Sequence, residues 1–408
     1  MNKRRILYIS FLGILEPVAF SQVFSYLIKL AEDKSLKFTL LTLEKDSFLQ
    51  KKDYLRYEEI REKLSRVGID WYMLKHHRGL GKIYDLFIAF LCAMAIVIRR
   101  NINIIHARSN EPVILAFFIA KFLRIKIIYD RRGMMAEDYS DDATTNFKIK
   151  RGGFVYKLIN QFEFLIMRSC NAIVVLTEKI FNHLTKDGFF RTRNNIFIVP
   201  CCVELERFGK FHKDNVRLLS QLGLSNKIIF NYTGSLCGLH CLSEMLDFFK
   251  TAKKSIPSAH LMFLTLVNSE FIKNSFKVKG LDVKDVTVIS VSPLEVNKYM
   301  SICDLAVMFF KPTFIRWAAS PTKLAECLAS GLPIIINKNI GDTEVLVNKN
   351  MIGAVLDDFS QSSYIKAVNQ AIGLLNDPDI RLRCRKSAED NFSISRGVEA
   401  YHNIYNSL

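Results

Sequence analysis

The sequence predicts an α/β protein of two doubly wound, Rossmann-like domains facing a central cleft. Three observations carry the prediction. Short β-branched runs alternate with helical stretches along the whole chain, the pattern of parallel strands buried on both faces. The alternation comes as two successive series, with a hinge expected near residues 200–215. At 408 residues the chain is also too long for one ordinary core. Ligands of such sheets bind at the carboxyl ends of the strands, which places the active site in the cleft.

The first series opens with ILYIS (6–10), a loop, and the helical stretch that begins at Ser21. Lys3, Arg4 and Arg5 before this run imitate a signal peptide. A first buried strand looks the same, and the cysteines decide for the strand: nine, without framework spacing, suit a reducing compartment. KFTLLTL (37–43), IDWYML (69–74), INIIHA (102–107), IKIIYD (125–130), AIVVL (172–176) and IFIVP (196–200) continue the series. The apolar run 86–98, thirteen residues, is too short to cross a bilayer and reads as a buried helix. Arg99 and Arg100 after it leave a monotopic membrane contact open. The second series is KIIFNYTG (227–234), AHLMFLTL (259–266), VTVISV (286–291), DLAVMFF (304–310) and PIIIN (333–337).

With 57 basic and 40 acidic side chains the formal charge is +17. Such a surface suits phosphorylated substrates, an anionic membrane face or nucleic acid. The last lacks the interleaved aromatic and basic residues of a known module, so no nucleic-acid partner is expected. Cys237, His240 and Cys241 lie close in sequence, but no second ligand pair with zinc-like spacing accompanies them. Buried thiols and no metal are expected.

The most informative stretch is SPTKLAECLASGLPIIIN, 320–337. Ser320 is suited to cap a helix and Pro321 to its first position; Gly331 supplies a left-handed end and Pro333 forbids continuation. Leu324 and Leu328 form its buried stripe. Thr322, Lys323 and Glu326 put a hydroxyl, an ammonium and a carboxylate near a helix N-terminus, where free N–H groups favour an anion. A carboxylate one turn in accepts hydrogen bonds from sugar hydroxyls. A phosphate beside a hydroxylated ring describes a nucleotide sugar; a solvated helix face is the plain alternative.

Four loops follow strands. In 11–22, Gly13 allows close backbone approach and Ser21 is placed to cap the next helix, but no G-x-G-x-x-G spacing is present. HARS puts His106 and Arg108 just past a strand. DRRGMMAED crowds Asp130, Arg131, Arg132, Glu137 and Asp138 into one loop. In YTGSLCGLH, Gly234 and Ser235 are placed to turn backbone N–H groups toward a phosphate.

Taken in order, these segments resemble the GT-B glycosyltransferases of family 4, which are retaining and nucleotide-sugar-dependent. The resemblance runs from near residue 6 to the end. The 320–337 stretch is similar to the family's donor-binding helix, IFIVPCCVELERF (196–208) to its domain crossover, and FSISRGVEAYHNIYNSL (392–408) to its last helix. GILEPVAFSQV (13–23), HARS and DRRG resemble a bacterial subgroup acting in surface-polysaccharide assembly.

The resemblance implies an acceptor-binding domain over 1–205, a donor-binding domain over 206–391, and a helix, 392–408, that returns to the first domain. It gives Glu326 the donor's ribose, and Lys323, Ser320 and Gly234 its diphosphate. Lys311 and Arg316, just before the helix, add phosphate charge. The family's Arg and Lys after its loop glycine are absent, with Ser235 following Gly234, and Ala318 stands where the family has a second Glu. Asp130, His106 and Arg132 are the expected contacts to acceptor and sugar. No cofactor is implied beyond a UDP- or GDP-sugar as donor, and the diphosphate's charge is met without a metal. The implied acceptor is a lipid-linked saccharide in O-antigen, capsule or other surface-polysaccharide synthesis, at the inner face of the cytoplasmic membrane, with the enzyme attached peripherally. A catalytically weak scaffold of the same fold is the competing reading.

Overall fold

A computed structural model describes residues 3–45, 54–77, 79, 81–140, 148–186, 195–208, 215–236, 238, 240–292 and 295–408. The chain forms two compact units. The first takes the described residues through Ser140, those from 148 to Pro200, and Ile394–Leu408; the second takes Cys201–Ser393. The division falls at Pro200/Cys201, five residues before the expected boundary. The Cys201 N–H donates to Ser320 Oγ at 3.1 Å and the Val203 N–H to the Phe392 carbonyl at 2.8 Å, which ties this segment to the second unit. Part of the expected hinge, 209–214, lies outside the described residues.

The first unit holds a seven-stranded sheet: β1 (Arg4–Ser10), β2 (Leu36–Lys45), β3 (Asp70–His76), β4 (Ile104–Arg108), β5 (Lys126–Asp130), β6 (Ala172–Val175) and β7 (Ile196–Ile198). All neighbours pair parallel, in the order β3-β2-β1-β4-β5-β6-β7. The second unit holds β8 (Ile228–Thr233), β9 (Ala259–Leu264), β10 (Val286–Ile289), β11 (Leu305–Met308), β12 (Ile334–Asn337) and β13 (Gly353–Leu356), also all parallel, in the order β10-β9-β8-β11-β12-β13. Both orders reverse once, between β1 and β4 and between β8 and β11. Those two points are where doubly wound sheets open a crevice. Twelve strands lie where the sequence places them. The thirteenth, GAVL, is four residues of mostly low strand propensity and escapes a pattern reading. Its Gly353 lets the Ile334 backbone approach closer than any side chain would permit.

Five helices carry the later argument: α1 (Gly81–Arg99), α2 (Asn110–Leu123), α3 (Phe154–Ser169), α4 (Thr322–Ala329) and α5 (Ile394–Ser407). The thirteen-residue apolar run belongs to the nineteen-residue α1, which is not the fully buried helix expected: Phe87, Leu91 and Ile98 are exposed. The helix after β1 starts at Pro17, and Ser21 lies inside it, in a π turn over Phe20–Phe24. Ser21 caps nothing; its hydroxyl donates back to the Val18 carbonyl at 3.3 Å. In the first unit α5 packs on the Ser25–Leu30 helix, with Tyr401 edge-on to Tyr26 at 5.6 Å.

Candidate functional site

The second unit's switch point gathers the donor-side residues. Gly234 follows β8, and the segment Phe309–Pro321 joins β11 to α4. Asn337, at the end of β12, fixes this segment: its side chain accepts from the Phe310 N–H at 2.9 Å and donates to the Phe310 carbonyl at 3.0 Å. The Phe310 ring is thereby held under two cations, with Arg316 5.0 Å and Lys323 Nζ 5.5 Å from its centroid. Lys323 also lies 4.6 Å from the Tyr232 centroid and donates to the Tyr232 hydroxyl at 3.2 Å. No carboxylate among the described residues comes within ion-pair distance of its ammonium.

Gly234 lies beside this ammonium at φ +111°; a Cβ there would come within 3.3 Å of Lys323 Nζ. Its N–H, expected to face a phosphate, instead donates to the Leu264 carbonyl at 2.9 Å. What the glycine supplies is the missing side chain. The Ser235 carbonyl accepts from the Tyr232 hydroxyl, so the loop is tied to the same ring that holds Lys323.

α4 starts one residue later than its sequence suggests. Pro321 is the cap residue and Thr322 the first helical one, without a side-chain cap. Ser320, expected to cap, instead accepts the Cys201 N–H. The helix ends as expected: Gly331 has φ +70°, and its N–H and that of Leu332 close on the Leu328 and Cys327 carbonyls at 2.9 Å. Leu324 and Leu328 are buried in the core against β11 and β12. Lys323 and Glu326 are half-buried beside each other, and Lys311 is exposed.

The electrostatics of the site are strained in both directions. Burial pulls the Lys323 ammonium down to about 7, and Arg316 adds to the fall. Burial pushes the Glu326 carboxyl up to about 7 against Arg207 and Lys323. His240 is lowered to about 3 by burial and by the same two cations, Lys323 and Arg316. Its ring lies 5.0 Å from Phe310, and its Nδ1 is buried without a hydrogen-bond partner among the described residues. His240 therefore belongs to this cluster; Cys237 lies outside the described residues, and Cys241 is buried with its thiol pushed up to about 11. Arg207 and His240 were not singled out for this site from sequence. Arg207 sits in the ELERF turn of the crossover segment, and only the fold brings it near Glu326. Ala318 is buried in the turn before α4.

The first unit's candidates also meet, at the ends of β4 and β5. Strand register puts Arg108 opposite Asp130. Arg108 Nη1 and Arg132 Nη2 donate to Asp130 Oδ2 at 2.9 and 2.8 Å, and Arg132 Nε lies 2.8 Å from Oδ1. Burial alone would raise the Asp130 carboxyl, but Arg132 and Arg108 hold it far below the usual carboxylate range. His106, kept neutral by burial, lies 2.6 Å from the Tyr405 hydroxyl, and Arg132 donates to the Tyr401 hydroxyl at 2.7 Å. Both tyrosines come from α5. His106 and Asp130 expose almost no surface, so the atoms expected to meet an acceptor are turned inward and fasten α5 to the sheet. Arg131 pairs with Glu163 of α3 at 2.7 Å and secures the loop behind them. Gly13, expected against a ligand, is packed against the buried Glu44 carboxylate, which accepts the Ile14 N–H at 2.9 Å.

No protein-family model and no curated protein matches the sequence. Solved structures match over the whole length. A glycosyltransferase from Rickettsia africae superposes with a TM-score of 0.69 at 12% identity, over 100% of this chain and 99% of that one. Anabaena Alr3699/HepE, solved with UDP and glucose, gives 0.69 at 12% identity over 99% of both chains. The lipopolysaccharide outer core galactosyltransferase WaaB gives 0.65 at 11% identity, again over 99% of both. The fold is that of the GT-B glycosyltransferases, and identity this low carries the fold rather than the reaction.

Proposed function

We propose that the chain transfers a glycosyl group from a nucleotide diphosphosugar, a UDP- or GDP-sugar, to an acceptor hydroxyl with retention of configuration, as a family 4-like enzyme. The observation that carries this reading is the cationic cluster at the β8/β11 switch point. Lys323 and Arg316 share one aromatic platform at the mouth of α4, beside a glycine that leaves room for a ligand. Breaking the bond from the sugar C1 to the diphosphate leaves its electron pair on a phosphate oxygen. Fixed cations and the helix N-terminus stabilise that charge as it forms. Ser320, Thr322 and Ser235 line the same mouth in sequence, and Lys311 lies in the open just before it. Glu326, one turn in, accepts from the ribose hydroxyls. Arg132, half-buried where His106 and Asp130 are not, is the first unit's best-placed contact to an acceptor.

The acceptor in this reading is a lipid-linked saccharide at the inner face of the cytoplasmic membrane, in O-antigen, capsule or exopolysaccharide assembly. The loop sequences that resemble that subgroup and the basic surface support it, as does the likeness to a lipopolysaccharide galactosyltransferase. One observation favours a catalytically weak relative instead: uncharged Ser235 and Ala318 stand where the family places charge. Thermal-shift screening against nucleoside diphosphates and their sugars tests the donor site, since a ligand of the folded state raises the melting temperature. Release of nucleoside diphosphate on adding acceptor separates enzyme from scaffold. A chain that no nucleoside diphosphate stabilises would end the proposal.

A further inference from the structure

Among the described residues, the first unit carries an exposed apolar face. α1, α2 and α3 follow β3, β4 and β5 and all cross in the same direction along the sheet, so right-handed crossovers put them on one side. α1 packs on α2 and α2 on α3, where Phe117 meets Phe162 edge-on at 6.2 Å. α1 buries a stripe through Ala89, Ala93 and Ile96 against the sheet. The opposite stripe of a helix on a soluble protein is polar. Here it reads Tyr84, Phe87, Leu91 and Ile98, all exposed, with Phe87 at 59%. α2 continues the face with Phe118 and with Phe122, 74% exposed, and α3 with Leu158 and with Phe154, 82% exposed.

α1 has the length and composition to cross a bilayer, and only 28% of its apolar stretch is buried. It does not cross, because it joins β3 to β4, two strands of one sheet. A helix of this kind lies in the plane of a membrane surface. The charges around it select the partner. Exposed basic residues are Lys82, Arg99, Lys121, Lys157 and Arg168; the exposed acid on the three helices is Glu111. The other two acids, Asp85 and Glu163, are buried on His77 and Arg131. A second copy of the chain would bring this cationic rim against itself. An anionic lipid surface complements it.

We propose that the exposed face of α1, α2 and α3 is a monotopic membrane contact. Its aromatic and leucine side chains enter the acyl boundary of an anionic bilayer, and its lysines and arginines meet the headgroups. The inference deepens the reading above, which sets a lipid-linked acceptor at a membrane. It also changes the kind of attachment, from screened charge alone to insertion aided by charge.

The test uses the full purified chain and two vesicle types, phosphatidylcholine alone and phosphatidylcholine with phosphatidylglycerol, separated by flotation. Binding should favour the anionic vesicles and persist largely at about 1 M salt, where screening acts within about 3 Å. Leu91→Glu combined with Phe122→Glu should lower partitioning at least about tenfold at either salt, because a carboxylate cannot follow the apolar side chain into the acyl region. Lys121→Glu with Lys157→Glu should weaken binding at low salt only. Phe87→Trp should show blue-shifted emission and quenching by brominated lipid. Complete release of the wild type by salt, or a Leu91/Phe122 variant that floats like wild type, overturns the inference. So does sedimentation showing that the glutamates dissolve a dimer while lipid binding is unchanged. The UDP-induced thermal shift, measured on the same proteins, keeps the two readings apart. Lost vesicle binding with the shift intact defeats this inference alone; vesicle binding without any nucleotide shift defeats the donor-site reading alone.

Discussion

Two charged clusters sit at the strand ends of two similar sheets, and they are built in opposite ways. Around Asp130 opposite charges meet directly: two guanidinium groups hold one carboxylate, and tyrosine hydroxyls of α5 reach Arg132 and His106. Around Lys323 the charges lean on aromatic rings and one hydroxyl, and burial drives the ammonium and the Glu326 carboxyl both to about 7. The first arrangement stabilises the charged forms and holds the fold. The second makes them costly until an anion and its hydroxyls arrive. A carboxylate held between guanidinium groups reads as a fastener, and strained charge at a switch point reads as a site.

The comparison breaks first at Asp130. Asp130→Asn keeps the shape but removes the counter-charge of the buried Arg108 and half-buried Arg132 guanidinium groups, which should cost about 3–5 kcal/mol of stability. Thermal or urea unfolding measures it, and the UDP-induced rise in melting temperature should persist. Unchanged stability with lost turnover would instead put Asp130 in the reaction. Lys323→Met should fold and lower kcat by about a hundredfold or more, the scale of removing one fixed donor from a developing oxyanion. A loss below about tenfold ends its leaving-group role. Glu326→Ala should weaken nucleoside diphosphate binding by about 1.5–3 kcal/mol, the worth of hydrogen bonds to a charged group. Calorimetry with pyrophosphate supplies the contrast. Having no ribose, pyrophosphate should bind wild type and variant alike, and an equal loss for both ligands would move Glu326 to the phosphates.

Residues that act through local sequence were legible. Pro321, Gly331 and Pro333 bound α4 because capping and left-handed turns are decided within a few residues, and strand runs announce themselves by β-branched composition. Ser320 shows the limit: its side chain suits a cap, yet the Cys201 N–H, far along the chain, claims it. Arg207 and His240 reach the donor cluster from separate segments, so no spacing rule points to them. The Asp130 loop was recognised by its charges. Whether those charges face a ligand or each other depends on strand register and on two tyrosines of the last helix. Gly13 and Gly234 are legible as special positions, but the sequence does not show that Gly13 packs on Glu44 or that Gly234 leaves room beside Lys323 while its N–H goes to Leu264. The solvent face of α1 was hidden because an apolar run looks the same buried or exposed.

The smallest expected effect is the most specific in sign. The Lys323 ammonium sits at about 7 in the folded chain against an ordinary 10.5, lowered chiefly by burial. Between those values the unfolded chain binds more protons at this residue, so its contribution to stability improves as pH rises from about 7 to 10.5. Below about 7 both states are charged and the fold carries the full cost of the buried ammonium. Glu326, raised from 4.5 to about 7, acts the other way: its cost grows from pH 4.5 to about 7 and stays above it. The two costs overlap near neutrality, where a donor is bound. Lys323→Met removes one of them, so the variant should melt above wild type at pH 6, by about 2–4 °C for each 1 kcal/mol relieved in a domain of this size. The gap should close toward pH 10. Asp130 provides the opposite reference: its depressed pKa stabilises the fold above the ordinary 3.8, and that stability is lost only as acid protonates it. Adding UDP should narrow the gap at pH 6, because a bound diphosphate stabilises the ammonium that methionine lacks. A variant that melts no higher than wild type at pH 6, or a gap that does not change with pH, would show that Lys323 carries no such strain and that the contrast between the two clusters is only one of position.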